Sequence, residues 1–259
     1  LDHVGIIGNN KSEIAYEKAG IITQKTSYAI IGEKNTRIAK IIEAEAQKHR
    51  VPYLRVHKPT VSDIHIAQNG TSFTYHGQRY HLTTYGEHQI SNAVLCIEAA
   101  IQLGIPAPAI RHGLARTIQP LRMEIISHKP LVILDGAHNE DKISSTVKTC
   151  SLLTSLFNTK KLHLIIGFSG NKDIQAMLTH LLTLRPTSIA ITRNTTNQFR
   201  KVADMSELKT QIHKQLPRTK IELFLDPIDA YEYTMKNAGT HDCVIATGSI
   251  FMSGEIRGS

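Results

Sequence analysis

The sequence predicts an α/β fold with a mostly parallel sheet, and two observations carry that prediction. From Leu131 to Ser249, short apolar runs alternate with helical periods with little interruption. The first of these runs, Leu131-Val132-Ile133-Leu134, ends abruptly in the polar cluster Asp135-Gly136-Ala137-His138-Asn139. A parallel strand covered on both faces is apolar throughout, whereas a half-exposed strand alternates. In open sheets of this kind ligands bind outside the carboxyl ends of the strands, where the polar cluster falls.

In chain order, Ser27 to Ile31 reads as a strand, Thr36 to His49 as a helix and Val51 to Val56 as a second strand. Residues 64 to 84 place Phe73, Tyr75, Tyr80 and Leu82 in near-alternation, broken by His76-Gly77-Gln78, which predicts a hairpin beside the main sheet. Ile90 to Leu103 is a helix stopped by Gly104 with Pro106 beyond, and Ile110 to Ala115 a shorter one. Arg116 to Pro120 lacks periodicity and sets the expected boundary between domains 1–120 and 121–259.

Beyond the boundary, strands are expected at Leu131 to Asp135, Leu162 to Gly167, Ser188 to Thr192, Lys220 to Leu225 and Cys243 to Thr247. Between them, Ile143, Val147, Cys150, Thr154 and Phe157 recur at helical steps. So do Ile174, Met177, Leu178, Leu181 and Leu182, and then Leu208, Ile212 and Leu216. Strand and helix in strict alternation imply a doubly wound domain with right-handed crossovers.

Composition narrows the function. The formal net charge is +8, but the basic residues are dispersed and aromatics are few, so an anionic small ligand is expected rather than nucleic acid. No apolar run reaches the roughly 18 residues a membrane-spanning helix needs. The cysteines Cys96, Cys150 and Cys243 are odd in number and lie in apolar segments, which points to buried thiols in a reducing, cytoplasmic setting. The chain opens on Leu1 rather than methionine, and Arg257-Gly258-Ser259 read as partly foreign; a piece of a longer protein is expected.

Separated stretches also carry a resemblance. They are Leu1-Asp2-His3-Val4 with Glu17-Lys18-Ala19-Gly20-Ile21, Gly86-Glu87-His88-Gln89-Ile90-Ser91-Asn92-Ala93, Pro120-Leu121-Arg122-Met123-Glu124, Asp135-Gly136-Ala137-His138-Asn139 and Ala246-Thr247-Gly248-Ser249. In order and spacing the chain resembles the folylpolyglutamate synthase and dihydrofolate synthase family, within the Mur ligase superfamily. The resemblance implies the later part of a central ATPase domain followed by a Rossmann-like carboxyl-terminal domain. No G-x-x-x-x-G-K-[ST] loop occurs here, so the triphosphate cradle is expected elsewhere.

By the same resemblance, His3 and a carbamylated Lys18 are expected on Mg²⁺, Lys18 also counting among the catalytic groups, because hard cations prefer oxygen ligands. Read alone, Asp2-His3 simply ends a strand and Lys18 is a solvated helix residue. His88 and Asn92 are expected near the adenine; alternatively they cap the first turn of their helix. Arg122 is expected on the nucleotide phosphates, although Leu121 stands where the family pattern has glycine. Asp135 is expected on or near the ribose, or as a plain helix cap. His138 is expected beside the reacting groups and the incoming glutamate, and Ser249 on the glutamate side. Lys172-Asp173 resembles a family loop, with Asn171 replacing an aspartate, and reads equally as a glycine turn.

The implied activity is ATP-dependent joining of glutamate to folate or dihydropteroate, with ATP and Mg²⁺ as cofactors, by a monomer that acts on small molecules and engages neither nucleic acid nor membrane. The segment alone is expected to be inactive. Other Mur-type or cyanophycin synthetase-like amino-acid ligases, and a non-catalytic nucleotide-binding module, are the competing readings.

Overall fold

The computed structural model describes residues 7–56, 60–169, 173–196 and 202–259. The chain divides after Thr117 into two compact units. Among the described residues, no helix is long and apolar enough to cross a membrane.

The first unit opens with α1 (Lys11–Ala19), started by Asn10, whose side-chain oxygen accepts the Ser12 and Glu13 N–H groups. Strand β1 (Ala29–Ile31) pairs in parallel with β2 (Tyr53–Arg55), and α2 (Thr36–Lys48) crosses between them. This is the strand–helix–strand read from Ser27 to Val56, with shorter strands. Next come β3 (Val61–Ala67), β4 (Gly70–Tyr75) and β5 (Gln78–Leu82), an antiparallel sheet of three. The loop between β4 and β5 is His76–Gly77, with φ of 47° and 69°, the left-handed pair that a two-residue hairpin of this twist requires. The expected hairpin exists, but with β3 as its further partner it forms its own sheet instead of lying beside a main one.

Helix α3 (Glu87–Gln102) lays Ile90, Ala93, Val94 and Ile97 on Phe73, Tyr75, Tyr80 and Leu82. Cys96, expected to be buried, is exposed. It sits about 200° round the helix from the buried Val94, off the apolar face. Helix α4 (Ala107–Arg116) ends the unit and adds Ile110 to the same core.

The second unit contains β6 (Glu124–His128), β7 (Leu131–Leu134), α5 (Glu140–Leu156), β8 (Leu162–Ile166), α6 (Ile174–Leu182), β9 (Ser188–Ile191), α7 (Met205–Gln215), β10 (Lys220–Leu223), α8 (Pro227–Asn237), β11 (Cys243–Thr247) and α9 (Ile250–Arg257). The sheet order is β10-β9-β8-β11-β7-β6, parallel throughout except for β6, which runs antiparallel to β7 at the edge. The predicted α/β class and each predicted strand of this unit are present. Helix α5 packs against α6 and α6 against α7, while α8 packs against α9. The chain winds outward from β8 through β9 to β10, then returns β11 to the slot between β7 and β8. Leu164, Ile165 and Ile166 on β8 are wholly buried, each contributing about 1.5–3 kcal/mol of apolar burial. Below α8 and α9, Val132, Leu134, Ile165, Val244, Ala246, Met252 and Ile256 form one cluster.

Candidate functional site

The loops leaving β7, β8 and β11 lie side by side at the carboxyl edge of the six-stranded sheet. The Asp135 N–H donates to the Ala246 carbonyl at 2.9 Å, and the Gly248 N–H to the Ala137 carbonyl at 3.0 Å. The Gly167 N–H reaches the Thr247 carbonyl at 3.4 Å. Glycine at 248 is what permits this approach: φ is 101°, and a Cβ would lie 2.6 Å from the Gly167 oxygen. Asp135 and His138 thus follow β7, and Ser249 follows the adjacent β11. Ser249 is buried and caps α9, its hydroxyl accepting the Met252 N–H at 3.4 Å.

Asp135 is 5% exposed, and the unit's own donors converge on its carboxylate. Oδ1 accepts the Ala137 N–H at 3.0 Å and the Thr146 hydroxyl at 2.6 Å, and Oδ2 accepts the Met123 N–H at 3.1 Å. An ionised carboxylate has about four lone-pair positions, so a ribose hydroxyl would have roughly one left. The first structural task of this aspartate is to tie the segment before β6 to the end of β7.

That segment carries Arg122. Leu121 and Met123, on either side of it, both adopt left-handed φ, at 57° and 50°. Leu121 therefore keeps the conformation a glycine would adopt freely, at a cost of about 1–2 kcal/mol, while its side chain packs on the cluster below α9. The Gly136 N–H donates to the Leu121 carbonyl at 2.8 Å, and the Leu121 N–H to Glu124 Oε2 at 2.9 Å. Between these anchors the Arg122 side chain is exposed.

His138 Nδ1 lies 2.8 Å from the Gly136 carbonyl. A carbonyl only accepts, so Nδ1 carries the proton and Nε2 is the acceptor, 3.1 Å from Lys142 Nζ. Lys142 stands one turn into α5, whose amino terminus Asn139 caps by accepting the Lys142 N–H at 3.0 Å. The sequence reading misses Lys142, although its spacing of four from His138 on a helix start was a usable signal.

The remaining sequence candidates lie on other segments of the chain. His88 and Asn92 sit in the first turns of α3, within the first unit. The N-cap there is Gly86, which has no side chain, so neither residue fills that position; the Asn92 side-chain amide donates to Gln89 Oε1 at 3.2 Å. Lys18 is exposed in the last turn of α1 and lines a cavity of about 640 Å³ with Ile14, Ile22, Ile31 and Ile38. Asp173 caps α6 through the Ala176 N–H. His3 and Lys172 lie outside the described residues. Among the described residues no group of three or more His, Cys, Asp or Glu side chains is disposed to hold a metal ion. Lys18 as an ammonium is a donor only, so it fits a metal role only as a carbamate, with further oxygens from other groups.

Two carboxylates far apart in sequence tie segments of the second unit together. Glu255 on α9 accepts the N–H and hydroxyl groups of Thr195 and Thr196 in the loop after β9, at 2.6 to 3.1 Å. Arg257 Nε donates to both oxygens of Glu124, at 3.0 and 2.9 Å. Arg257, expected to be partly foreign, is thus knit into the unit. Burial by itself would raise both carboxyls. The Arg257 and Leu121 donors at Glu124, and the threonine donors at Glu255, overcome this and hold both below the ordinary 4.5. A folded-state value held below the unfolded one adds stability that is complete above 4.5 and is lost as the pH falls through the folded value. The second unit should therefore melt at progressively lower temperature below about pH 4.5. A Glu124→Gln/Glu255→Gln double variant should show a flatter melting temperature against pH; an unchanged acid limb would show that other groups carry it.

The family profile described as "Mur ligase, glutamate ligase domain" matches residues 121–250. The dihydrofolate synthase/folylpolyglutamate synthase of Bacillus subtilis is 26% identical over 272 residues, covering 99% of this chain and 60% of that protein. The same-named protein of Mycobacterium tuberculosis is 29% identical over 212 residues, covering 75% of this chain and 43% of its own length. The solved folylpolyglutamate synthase of M. tuberculosis complexed with ADP superposes with a TM-score of 0.81 at 25% identity, covering 97% of this chain and 59% of that one. The chain thus spans about 60% of the relative matched along nearly its whole length.

Proposed function

Because the chain belongs to the Mur ligase family through its glutamate ligase domain, we propose that it is the later part of an ATP-dependent ligase joining glutamate to folate or dihydropteroate. The observation that carries this reading is the convergence of Arg122, Asp135, His138 and Ser249 on the segments anchored around the carboxyl ends of β7 and β11. It is supported by relatives named for that activity and by a similar structure holding ADP.

A carboxylate is a poor acyl donor, so the folate or dihydropteroate carboxylate first attacks the γ-phosphate of ATP, breaking its bond to the bridging oxygen, to give an acyl phosphate and ADP. The glutamate amine then adds to that carbonyl, and phosphate leaves from the tetrahedral intermediate. Lys18, as a carbamate, and His3 would hold Mg²⁺, which would neutralise phosphate charge. Arg122 offers a planar fork of donors to the nucleotide phosphates. His88 and Asn92 serve the adenine, and Asp135 places its remaining lone pair near the ribose. Lys142 offers a cation to a glutamate carboxylate, and in turning to it frees His138 Nε2 to orient the incoming amine or take its proton. Ser249 borders the same side, and the protein works as a monomer.

The test is ATP-dependent incorporation of labelled glutamate by the longer protein, with folates and dihydropteroate offered separately. Amide product with either carboxylate is expected, and the present chain alone should turn over no ATP. Failure of both carboxylates, with another acid and amino acid consumed instead, would discard the reading. His138→Ala should slow glutamate addition at least about 100-fold with a modest loss of stability. A collapse of melting temperature without a specific kinetic defect would make His138 structural.

A further inference from the structure

We propose that Glu124 and Arg257 are positioning residues that hold Arg122 in place for its contact with the nucleotide phosphates; this rests on the role given to Arg122 above. Leu121 and Met123 are both left-handed and neither is glycine, so the turn costs a few kcal/mol and does not hold itself. Something must over-determine it, and the restraints are identifiable. Asp135 and the Gly136 N–H grip the turn from the β7 side.

From the other side the grip is a relay. Arg257, exposed in the last turn of α9, binds both oxygens of Glu124, and Glu124 Oε2 accepts the Leu121 N–H immediately before Arg122. One guanidinium therefore fixes the carboxylate that fixes the strained residue. Arg257 and Glu124 lie 133 residues apart, so the relay crosses the unit from end to end of its chain. Removing the cation frees Glu124 to turn toward water, and Leu121 then relaxes toward ordinary φ. That relaxation re-aims the exposed Arg122 side chain and shifts Leu121 on the edge of the cluster below α9, while Met123 stays 2% exposed and pinned by Asp135. Arg257 and Glu124 act through Arg122; neither is a catalytic residue.

A kinetic double-mutant cycle in the longer protein tests this. Arg122→Ala should raise KM for ATP. Arg257→Ala and Glu124→Gln should each raise it about tenfold, with kcat changed less than about threefold and KM for glutamate unmoved. Arg257→Lys should recover part of the loss, since an ammonium restores the charge without the fork. In the Arg122→Ala background, Arg257→Ala should add nothing further to KM for ATP. Glu255→Gln, which frees the same last turn of α9 from the Thr195–Thr196 loop and leaves Glu124 and Arg257 in place, serves as the stability control and should lower the melting temperature with KM for ATP unchanged. If Arg122→Ala has no effect, the reading of Arg122 fails. If it has an effect but Arg257→Ala has none, or Arg257→Ala multiplies KM equally in both backgrounds, the relay is a structural tie and the proposal is overturned.

Discussion

Replacing Asp135 by alanine is expected to destabilise the second unit by about 2–6 kcal/mol, a large share of the roughly 5–15 kcal/mol that holds an ordinary domain folded. The substitution leaves the backbone N–H groups of Met123 and Ala137 without their acceptor inside the protein, while the Thr146 hydroxyl can turn to the Lys142 carbonyl at 3.0 Å. Each orphaned buried donor costs about 1–3 kcal/mol. The strained turn that Oδ2 restrains would relax as well. Asp135→Asn separates the contributions. Its one carbonyl oxygen can still serve Ala137 and Thr146, but its amide then points a donor at the Met123 N–H, and a loss of about 1–3 kcal/mol is expected. Thr146→Val removes one donor and should cost least of the three. Urea unfolding of the three variants gives the ranking directly. An alanine variant as stable as the parent would mean that water replaces the carboxylate, and the site would be wetter than its burial indicates.

Gly248→Val should be comparably severe, at about 3 kcal/mol or more, and for a different reason. A β-branched residue is strongly disfavoured at φ 101°, and its Cβ would meet the Gly167 oxygen at 2.6 Å and the Phe168 ring at 2.7 Å. Because the first obstacle is backbone, no side-chain rotation relieves it, and the loops after β8 and β11 must separate. Gly77→Ala is the contrast. It also sits at positive φ, 69°, but a Cβ there meets nothing within 4 Å, so only the conformational cost of about 1 kcal/mol remains. Thermal unfolding of the two variants should differ widely. A similar small loss in both would place flexibility, rather than close packing, at the head of β11.

Strands β7, β8, β9 and β11 of the second unit were legible because each is covered on both faces. All residues of β7, β8 and β11 are buried, and a continuous apolar run bounded by turn residues records that state locally. Edge strand β6 was not, because Glu124–His128 is only partly covered and bends at a bulge between Ile125 and Ser127. Helix α1 was passed over as an element because only Ile14, Ala15 and Ala19 of it are buried, too few to set up a clear apolar stripe. Cys96 was misjudged because its apolar neighbours along the chain are not its neighbours round the helix.

The candidate site divides in the same way. Asp135, His138 and Ser249 stood out by following apolar strands, and Arg122 by its motif. Glu255 gave no such sign, since its partners Thr195 and Thr196 lie about 60 residues away and an exposed-looking glutamate on a helix has no local pattern to mark it. Arg257 read as partly foreign from its place in the last three residues, and its partner Glu124 lies 133 residues away.

By itself, then, the sequence determined the α/β class, the run of strands in the second unit and the polar residues at their ends, because burial on both faces and helical periodicity are written within a few consecutive residues. Only the tertiary structure decided that the Asp135 carboxylate is spent mainly on Met123, Ala137 and Thr146, that Leu121 accepts a glycine-like φ, and that Glu124 answers to Arg257. Hydrogen-bond partners and strain at these positions depend on which segments the fold brings within about 3 Å, and that distance has no counterpart in spacing along the chain.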